Sequence, residues 1–352
     1  MSPLADVLRR QSRICAAMGS PMYAHLLDRM AGDVEGGGVF AELLAGHEDD
    51  PIENALALRL LGGLHRAALD GSAPQLQGRY PTAGGNWDEN IEGTWADVVA
   101  TAKARADLLR AALEQPPQTN EVGRSAALAG ALLRMVARFP YPVRLFEIGA
   151  SAGLNLRADH YLYRFDGGQW GPERSPVVID DAWEGLQPPD VPLRIVERHG
   201  FDLAPVDAGS DAGRLTLLSY VWPDMAVRVA RLQGALSVAR AVPAGLDRMP
   251  AGRAVAGLRL VRGTLTVLWH SITWQYLDDD ERRAVSDAAA TLAERADEAT
   301  PFVWLSLEPM RRTPGGRNEF VVRARIWPGE GADGDDVILG VCSPHGPPVV
   351  WE

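Results

Sequence analysis

Three small residues at alternate positions, Gly149, Ser151 and Gly153, form the pattern with the clearest chemical meaning in this sequence. They follow the apolar run Arg144–Ile148 and precede a helical run that begins at Leu154. Glycine lets a chain turn sharply and lets a ligand approach the backbone, and the first turn of the next helix offers free N–H groups and a positive dipole end. The pattern therefore predicts a nucleotide-binding corner made of a strand, a glycine-rich turn and a helix.

The stretch Glu147–Gly153, EIGASAG, resembles the first motif of the class I S-adenosylmethionine-dependent methyltransferases. That motif has an acidic residue followed by three small residues at alternate positions, and Ser151 stands where its middle glycine is usual. The resemblance implies that Glu147 orders the turn or the methionine part of the cofactor, and that the two glycines leave room for it. Asn155, at the start of the following helix, is placed to face such a ligand.

A second segment, Ile195–Pro205 (IVERHGFDLAP), resembles the second strand of the same family, which ends in Gly-x-Asp. The resemblance implies that Asp202 accepts hydrogen bonds from both ribose hydroxyls, as a carboxylate at this place does in nucleotide-binding folds. The last helix before the first strand opens near Arg124, which could pair with the cofactor's carboxylate as a bidentate donor. Thr119 and Asn120, just before it, could equally be plain N-cap residues.

Four other interpretations of the turn stay open. Gly149–Gly153 also fits G-x-S-x-G, the nucleophile elbow of α/β hydrolases, with Ser151 as nucleophile and with Asp224 or Glu308 and His345 completing a triad. The helical character of the chain before residue 140 counts against that fold. A nicotinamide dinucleotide fingerprint would need a third glycine where this sequence has leucine. The turn could also bind nothing, or belong to a non-catalytic protein that binds a partner.

Residues that follow the other predicted strands are candidates for catalysis, because ligands in open α/β sheets bind beyond the carboxyl ends of the strands. Tyr220 and Asp224 lie at the end of the predicted strand Leu215–Trp222. His270 follows the predicted strand Leu265–Trp269 and is a candidate general base, which would take a proton from a substrate that attacks a methyl group. Asp224 could instead favour a helix dipole, and His270 could be a hydrogen-bonded core residue.

Composition limits the other function classes. The 352 residues carry a formal net charge of −11, so electrostatic repulsion argues against a nucleic-acid partner. Two cysteines, Cys15 and Cys342, are too few for a cysteine metal site, and no histidine set has metal-ligand spacing, so we predict no metal. The first thirty residues lack the apolar block of a signal peptide, and no window reaches the ~18 apolar residues of a membrane span. We therefore predict a cytoplasmic protein without a membrane partner.

Hydrophobic periodicity divides the chain near residue 140. Before it, apolar residues recur at helical spacing, one such run beginning at Ile52, with glycine and proline breakers between the runs. After it, short apolar runs alternate with longer helical ones, which favours a parallel sheet covered on both faces. Phe320–Trp327 and Val337–Cys342 predict antiparallel strands, and residues 161–171 predict a hairpin. We predict an α/β protein with a helical N-terminal cap domain, 1–140, and a Rossmann-like domain of class I methyltransferase type with antiparallel C-terminal strands, 141–352.

Over nearly its whole length the sequence also resembles a bacterial family of unknown function, the domain of unknown function 2332, which is grouped with the Rossmann-like methyltransferase folds. Four stretches carry this resemblance: PQTNEVGRSAAL (Pro117–Leu128), EIGASAGLNL (Glu147–Leu156), SYVWPD (Ser219–Asp224) and WHSITWQYL (Trp269–Leu277). We predict S-adenosylmethionine as the cofactor and transfer of its methyl group, or another group of the sulfonium, to a small-molecule substrate. The helical domain would cap the cleft and exclude water. The sequence specifies neither the acceptor nor the oligomeric state.

Overall fold

A computed structural model describes residues 2–51, 54–87, 91–331 and 334–352 of the chain. They form two compact units, Met1–Thr119 with Ser210–Val229, and Asn120–Gly209 with Ala230–Glu352. The domain boundary near residue 140 that the sequence indicates stays a prediction. Ile52, where one predicted helical run begins, lies outside the described residues.

The bounds of the elements are as follows. The α-helices in the described ranges are α1 (Pro3–Ala17), α2 (Pro21–Glu35), α3 (Val39–Leu44), α4 (Leu56–Leu69), α5 (Pro74–Gln77), α6 (Ile91–Ala104), α7 (Ala106–Leu113), α8 (Ser125–Arg138), α9 (Asp211–Ser219), α10 (Ala226–Ala241), α11 (Ala251–Gly257) and α12 (Asp279–Ala293). The strands are β1 (Val143–Ile148), β2 (Leu162–Phe165), β3 (Gly168–Trp170), β4 (Val178–Ile179), β5 (Trp183–Gly185), β6 (Ile195–Asp202), β7 (Gly245–Arg248), β8 (Leu265–Ser271), β9 (Phe302–Met310), β10 (Glu319–Trp327), β11 (Asp335–Ser343) and β12 (Gly346–Trp351).

The first unit is built from helices whose apolar faces meet in one core. In α1 the buried residues Leu4, Leu8 and Cys15 lie at helical spacing, and in α4 the same holds for Leu60 and Leu64. Burying one such leucine side chain contributes roughly 1.5–3 kcal/mol, so the stripe on each helix is what holds these helices together. The helical N-terminal region predicted from periodicity is confirmed.

The predicted strand Leu215–Trp222 is wrong. Asp211–Ser219 forms α9, and the side chain of Ser210 caps it by accepting a 2.9 Å hydrogen bond from the N–H of Gly213. A short apolar run fits a strand or one face of a buried helix, and periodicity alone does not separate the two. The helix buries Leu217 within the first unit, so tertiary packing determined the outcome.

The second unit contains a large sheet, whose described strands run in the order β5-β12-β11-β10-β9-β8-β1-β6-β7. From β9 to β7 all neighbours pair in parallel. Counted along the chain, these strands follow a Rossmann-like order, which reverses between β1 and β8. The pairs β9·β10, β10·β11 and β11·β12 are antiparallel. The predicted α/β class, with a mostly parallel sheet and antiparallel C-terminal strands, is confirmed.

The two faces of this sheet carry different side chains, because successive residues of a strand point to opposite sides. On one face Phe146, Leu268 and Trp304 pack in a core with residues of α11 and α12. Glu147 follows Phe146 in β1 and therefore points to the other face, where its carboxylate accepts a hydrogen bond from Asn155. Ligand sites in such sheets lie beyond the carboxyl ends of the strands, at the point where the strand order reverses.

Smaller elements differ from their predictions in part. The helix predicted from Leu154 is a 3-10 helix, Leu154–His160, after which the chain enters β2. Strands β2 and β3 pair antiparallel, so the predicted hairpin is confirmed. Strand β7, GLDR, was not predicted, because it is mostly exposed and lacks an apolar run. Among the helices described, none has both the length and the apolar character that a bilayer span requires.

Candidate functional site

The glycine-rich turn places three alternate residues in the left-handed region of backbone conformation. The φ angles are 66° at Gly149, 51° at Ser151 and 63° at Gly153. Only glycine adopts this region without strain, and a residue with a Cβ pays roughly 1–2 kcal/mol for it. The left-handed conformation explains why the resembled motif usually has glycine at the middle position. In this chain it strains the backbone of Ser151.

Gly149 also allows two strand ends to approach each other closely. A Cβ built on Gly149 would overlap the side chain of Thr273, which follows β8. The resemblance implies that this glycine leaves room for a cofactor, but in the structure Thr273 occupies the space on its Cβ side. A ligand at the corner therefore has to approach from the side of Ser151 and Gly153.

A cavity of about 240 Å³ lies on that side of the turn. Gly153, Arg157, Val206 and Leu246 are among the residues that line it. Arg157 is 6% exposed, and its guanidinium donates to the backbone carbonyl oxygens of Gly153 (2.6 Å) and Val242 (3.0 Å). The arginine fixes the wall of this cavity through the backbone of the turn.

Asp202, at the end of β6, holds the turn from the neighbouring strand. Its Oδ2 accepts a 2.8 Å hydrogen bond from the N–H of Ser151, and its Oδ1 accepts one of 2.8 Å from the N–H of Ala204. A carboxylate oxygen has two lone pairs, so each oxygen keeps capacity for one further donor. The half-buried Asp202 can therefore both stabilise the turn and accept a hydroxyl group.

Glu147 lies beneath the turn and is 2% exposed. Ser125 Oγ donates a 2.7 Å hydrogen bond to Asn155 Oδ1, which directs the amide nitrogen of Asn155 toward Glu147. Glu147 Oε2 is buried and has no hydrogen-bond partner among the described residues. Burial raises the pKa of Glu147 to about 8, although Asn155 and the charges of Arg157 and Arg124 act in the opposite direction. A buried carboxylate without a full set of donors calls for a ligand or a proton.

Arg124 and Asn120 connect the chain before α8 to the site. Arg124 donates to the backbone carbonyl oxygens of Ser271 (3.1 Å) and Pro344 (3.0 Å), so it ties the end of β8 to the turn before β12. Asn120 Oδ1 accepts a 2.8 Å hydrogen bond from the N–H of Leu154 and caps the 3-10 helix after the glycine turn. Both residues position the corner through the backbone.

His270 forms a dyad with Glu308, a pairing that sequence spacing did not indicate. His270 Nδ1 lies 2.7 Å from Glu308 Oε1, and the histidine is 3% exposed. Its ring stacks on Trp274, with ring centroids 5.4 Å apart. The parallel register that places His270 opposite Ser306 brings Glu308 to the end of β8. A carboxylate on Nδ1 orients an imidazole for proton transfer at Nε2.

The other catalytic candidates, Tyr220 and Asp224, belong to the first unit. Asp224 accepts hydrogen bonds from Ser20 Oγ (2.6 Å) and from the N–H of Met22 (3.0 Å), so it caps the start of α2. Tyr220 packs against Gly62 of α4, where a Cβ would overlap its ring, and burial raises the pKa of its hydroxyl. These contacts give both residues a structural role.

Two of the residues named for a serine triad have other partners. Glu308 is bonded to His270, and His345 Nδ1 lies 3.3 Å from Glu121 Oε2. In the described ranges, no group of three or more acidic, histidine or cysteine side chains is arranged to hold a metal ion.

The second unit thus has a Rossmann-like parallel sheet with a strained glycine turn at the carboxyl end of β1. The model of the family described as "Uncharacterized protein conserved in bacteria (DUF2332)" matches residues 5–351, and the chain belongs to this family. Comparisons with curated proteins and with solved structures find no match.

Proposed function

We propose that this protein is an S-adenosylmethionine-dependent transferase that passes a methyl group to a small-molecule acceptor. One observation carries the proposal: the buried Glu147 carboxylate, with Oε2 unpartnered among the described residues, lies beneath a turn of three left-handed residues at the end of β1. S-adenosylmethionine supplies an electrophilic methyl group and, in its ammonium and ribose hydroxyls, hydrogen-bond donors.

Two carboxylates of the corner suit these donors. Glu147 would accept from the ammonium of the methionine part, directly or through a water, which would satisfy its orphaned oxygen. Asp202 would accept from the ribose hydroxyls with the lone pairs that Ser151 and Ala204 leave unused. The cavity next to Gly153 would receive part of the nucleoside.

Alignment of the acceptor with the methyl group would supply most of the rate. His270 alternates onto the same sheet face as Leu268, opposite to Glu147, which argues against it as the base for this transfer.

Calorimetric titration with S-adenosylmethionine and S-adenosylhomocysteine tests the proposal. We expect both to bind the wild-type protein at sub-millimolar concentration, and we expect Asp202→Asn to weaken binding by at least about tenfold, since it removes a charged acceptor. Glu197→Gln is the matched control, because Glu197 lies on the same strand and pairs with Arg144. Failure of folded wild-type protein to bind either compound would disprove the proposal.

A further inference from the structure

A second cavity, of about 260 Å³, lies on the sheet face that carries His270. The residues that line it include His270, Trp304, Glu308 and Arg325 from β8, β9 and β10, together with Trp274. The volume is at the small end for a ligand pocket, so it suits a compact molecule. All of these residues belong to the second unit.

One end of the cavity is anionic. Glu308 Oε1 accepts hydrogen bonds from His270 Nδ1 (2.7 Å), Thr273 N–H (2.9 Å) and Trp274 N–H (3.1 Å). Glu308 Oε2 is buried and has no hydrogen-bond partner in the described part of the chain. Leaving such an oxygen unpaired is costly, and a donor on a ligand removes the cost. The rings of Trp274 and Trp304, with centroids 5.8 Å apart, line the cavity beside this carboxylate, and the carboxylate charge favours a cationic donor over a neutral one.

The other end is cationic. Arg323 and Arg325 both line the cavity and share Asp336: Arg323 Nε lies 2.6 Å from Asp336 Oδ1, and Arg325 Nε lies 3.7 Å from Oδ2. Two guanidinium groups against one carboxylate leave a positive balance. Arg325 lies over the ring of Trp304, with 4.6 Å to the centroid, so its planar group is held at the wall.

We propose that this cavity binds a small zwitterion whose ammonium and carboxylate are separated by an apolar linker, with the ammonium on Glu308 and the carboxylate on Arg325. In the register of β9 and β10, Glu308 pairs with Val321 and Arg325 pairs with Trp304, so the two charged residues lie four residue positions apart along the strands. The linker would lie along Trp304, which also lines the cavity. A purely anionic ligand would leave Glu308 Oε2 unpaired, and a purely cationic one would leave the arginine charge uncompensated. The inference does not depend on S-adenosylmethionine binding at the glycine turn.

Three related probes test the two ends separately by calorimetry: 6-aminohexanoate, hexylamine, which lacks the carboxylate, and hexanoate, which lacks the ammonium. We expect 6-aminohexanoate to bind at least about tenfold more tightly than either single-ended probe. Glu308→Gln should weaken 6-aminohexanoate and hexylamine by a similar factor and leave hexanoate unchanged. Arg325→Gln should weaken 6-aminohexanoate and hexanoate and leave hexylamine unchanged.

Arg312→Gln is the matched control, because Arg312 is a neighbouring arginine that pairs with Glu319 and Glu352 and does not line the cavity. Circular dichroism shows whether each variant is folded, and a folded Arg325→Gln keeps the test decisive where Glu308→Gln unfolds. No binding of any probe by wild-type protein at up to about 10 mM would overturn the proposal. Binding of 6-aminohexanoate that neither substitution weakens would overturn it as well.

Discussion

The N–H of Ser151 donates a 2.8 Å hydrogen bond to Oδ2 of Asp202, which joins the strained middle of the glycine turn to the end of the adjacent strand. The same carboxylate accepts from the N–H of Ala204. Asp202 therefore stabilises the turn in the ligand-free protein. Unfolding experiments measure this contribution separately from any effect of Asp202 on ligand binding.

Asp202→Ala should lower the free energy of unfolding by roughly 2–3 kcal/mol, because it removes a charged acceptor from two backbone donors. Urea denaturation measures the change. Asp180→Ala is the control: its carboxylate is 59% exposed and pairs with Arg164, so the expected change is within about 0.5 kcal/mol. Equal changes in the two variants would show that the turn does not depend on Asp202.

Ser151→Gly should be more stable than Ser151→Ala by about 0.5–1 kcal/mol. Both variants lose the hydroxyl group, but only glycine relieves the strain of the left-handed φ of 51°. Comparing the two variants by thermal or urea unfolding isolates the free energy of this backbone strain. A more stable alanine variant would contradict the assigned conformation.

Gly149→Ala should lower the free energy of unfolding by roughly 2–5 kcal/mol, since the new Cβ adds overlap with Thr273 to the cost of a left-handed alanine. Gly167→Ala is a close control, because Gly167 has a φ of 86° and open space at its Cβ position. Its expected cost is only about 1–2 kcal/mol.

A double variant separates the steric overlap with Thr273 from the backbone strain of a left-handed alanine at residue 149. Adding Thr273→Gly to Gly149→Ala should recover part of the loss, because it removes the overlap and leaves the backbone strain. Unfolding free energies of the single and double variants give the coupling between the two sites. Strict additivity would rule out the contact.

The raised pKa of Glu147 predicts that this residue lowers the free energy of unfolding by an amount that depends on pH. The folded-state pKa is about 8 against an ordinary value of 4.5, so the folded protein binds more protons, and Glu147 destabilises it progressively as the pH rises from 4.5 to 8. Glu147→Gln removes this term. Its unfolding free energy relative to wild type should therefore increase by roughly 3–5 kcal/mol between pH 4.5 and pH 8.

Urea unfolding of both proteins across this pH range measures the difference. Glu197→Gln serves as the control for replacing a carboxylate on the neighbouring strand, since the Glu197 side chain is 41% exposed and paired with Arg144. A flat difference for Glu147→Gln would contradict the buried, raised-pKa carboxyl group.

A fluorophosphonate probe should not label Ser151, because the carboxylate and histidine that could activate it are engaged with other residues. Ser151→Ala is the control for labelling at other serines. Labelling of the wild type that disappears in this variant would favour the hydrolase interpretation.

Much of the architecture followed from local pattern. Helical periodicity identified the N-terminal helices, and continuous apolar runs identified β1, β8 and β9, because a strand buried on both faces has to be apolar throughout. The same rule failed at Leu215–Trp222, where an apolar run forms part of a helix. Short edge strands such as β5 and β7 carry too few buried residues to leave a signal.

The sequence by itself determined the glycine turn, since left-handed conformations at residues 149, 151 and 153 are local requirements that small residues meet. Only the tertiary structure decided what surrounds it. Thr273 reaches Gly149, and Glu308 reaches His270, because parallel pairing places strand ends side by side that are far apart along the chain. Such pairings depend on register and strand order, which no single segment of the sequence contains.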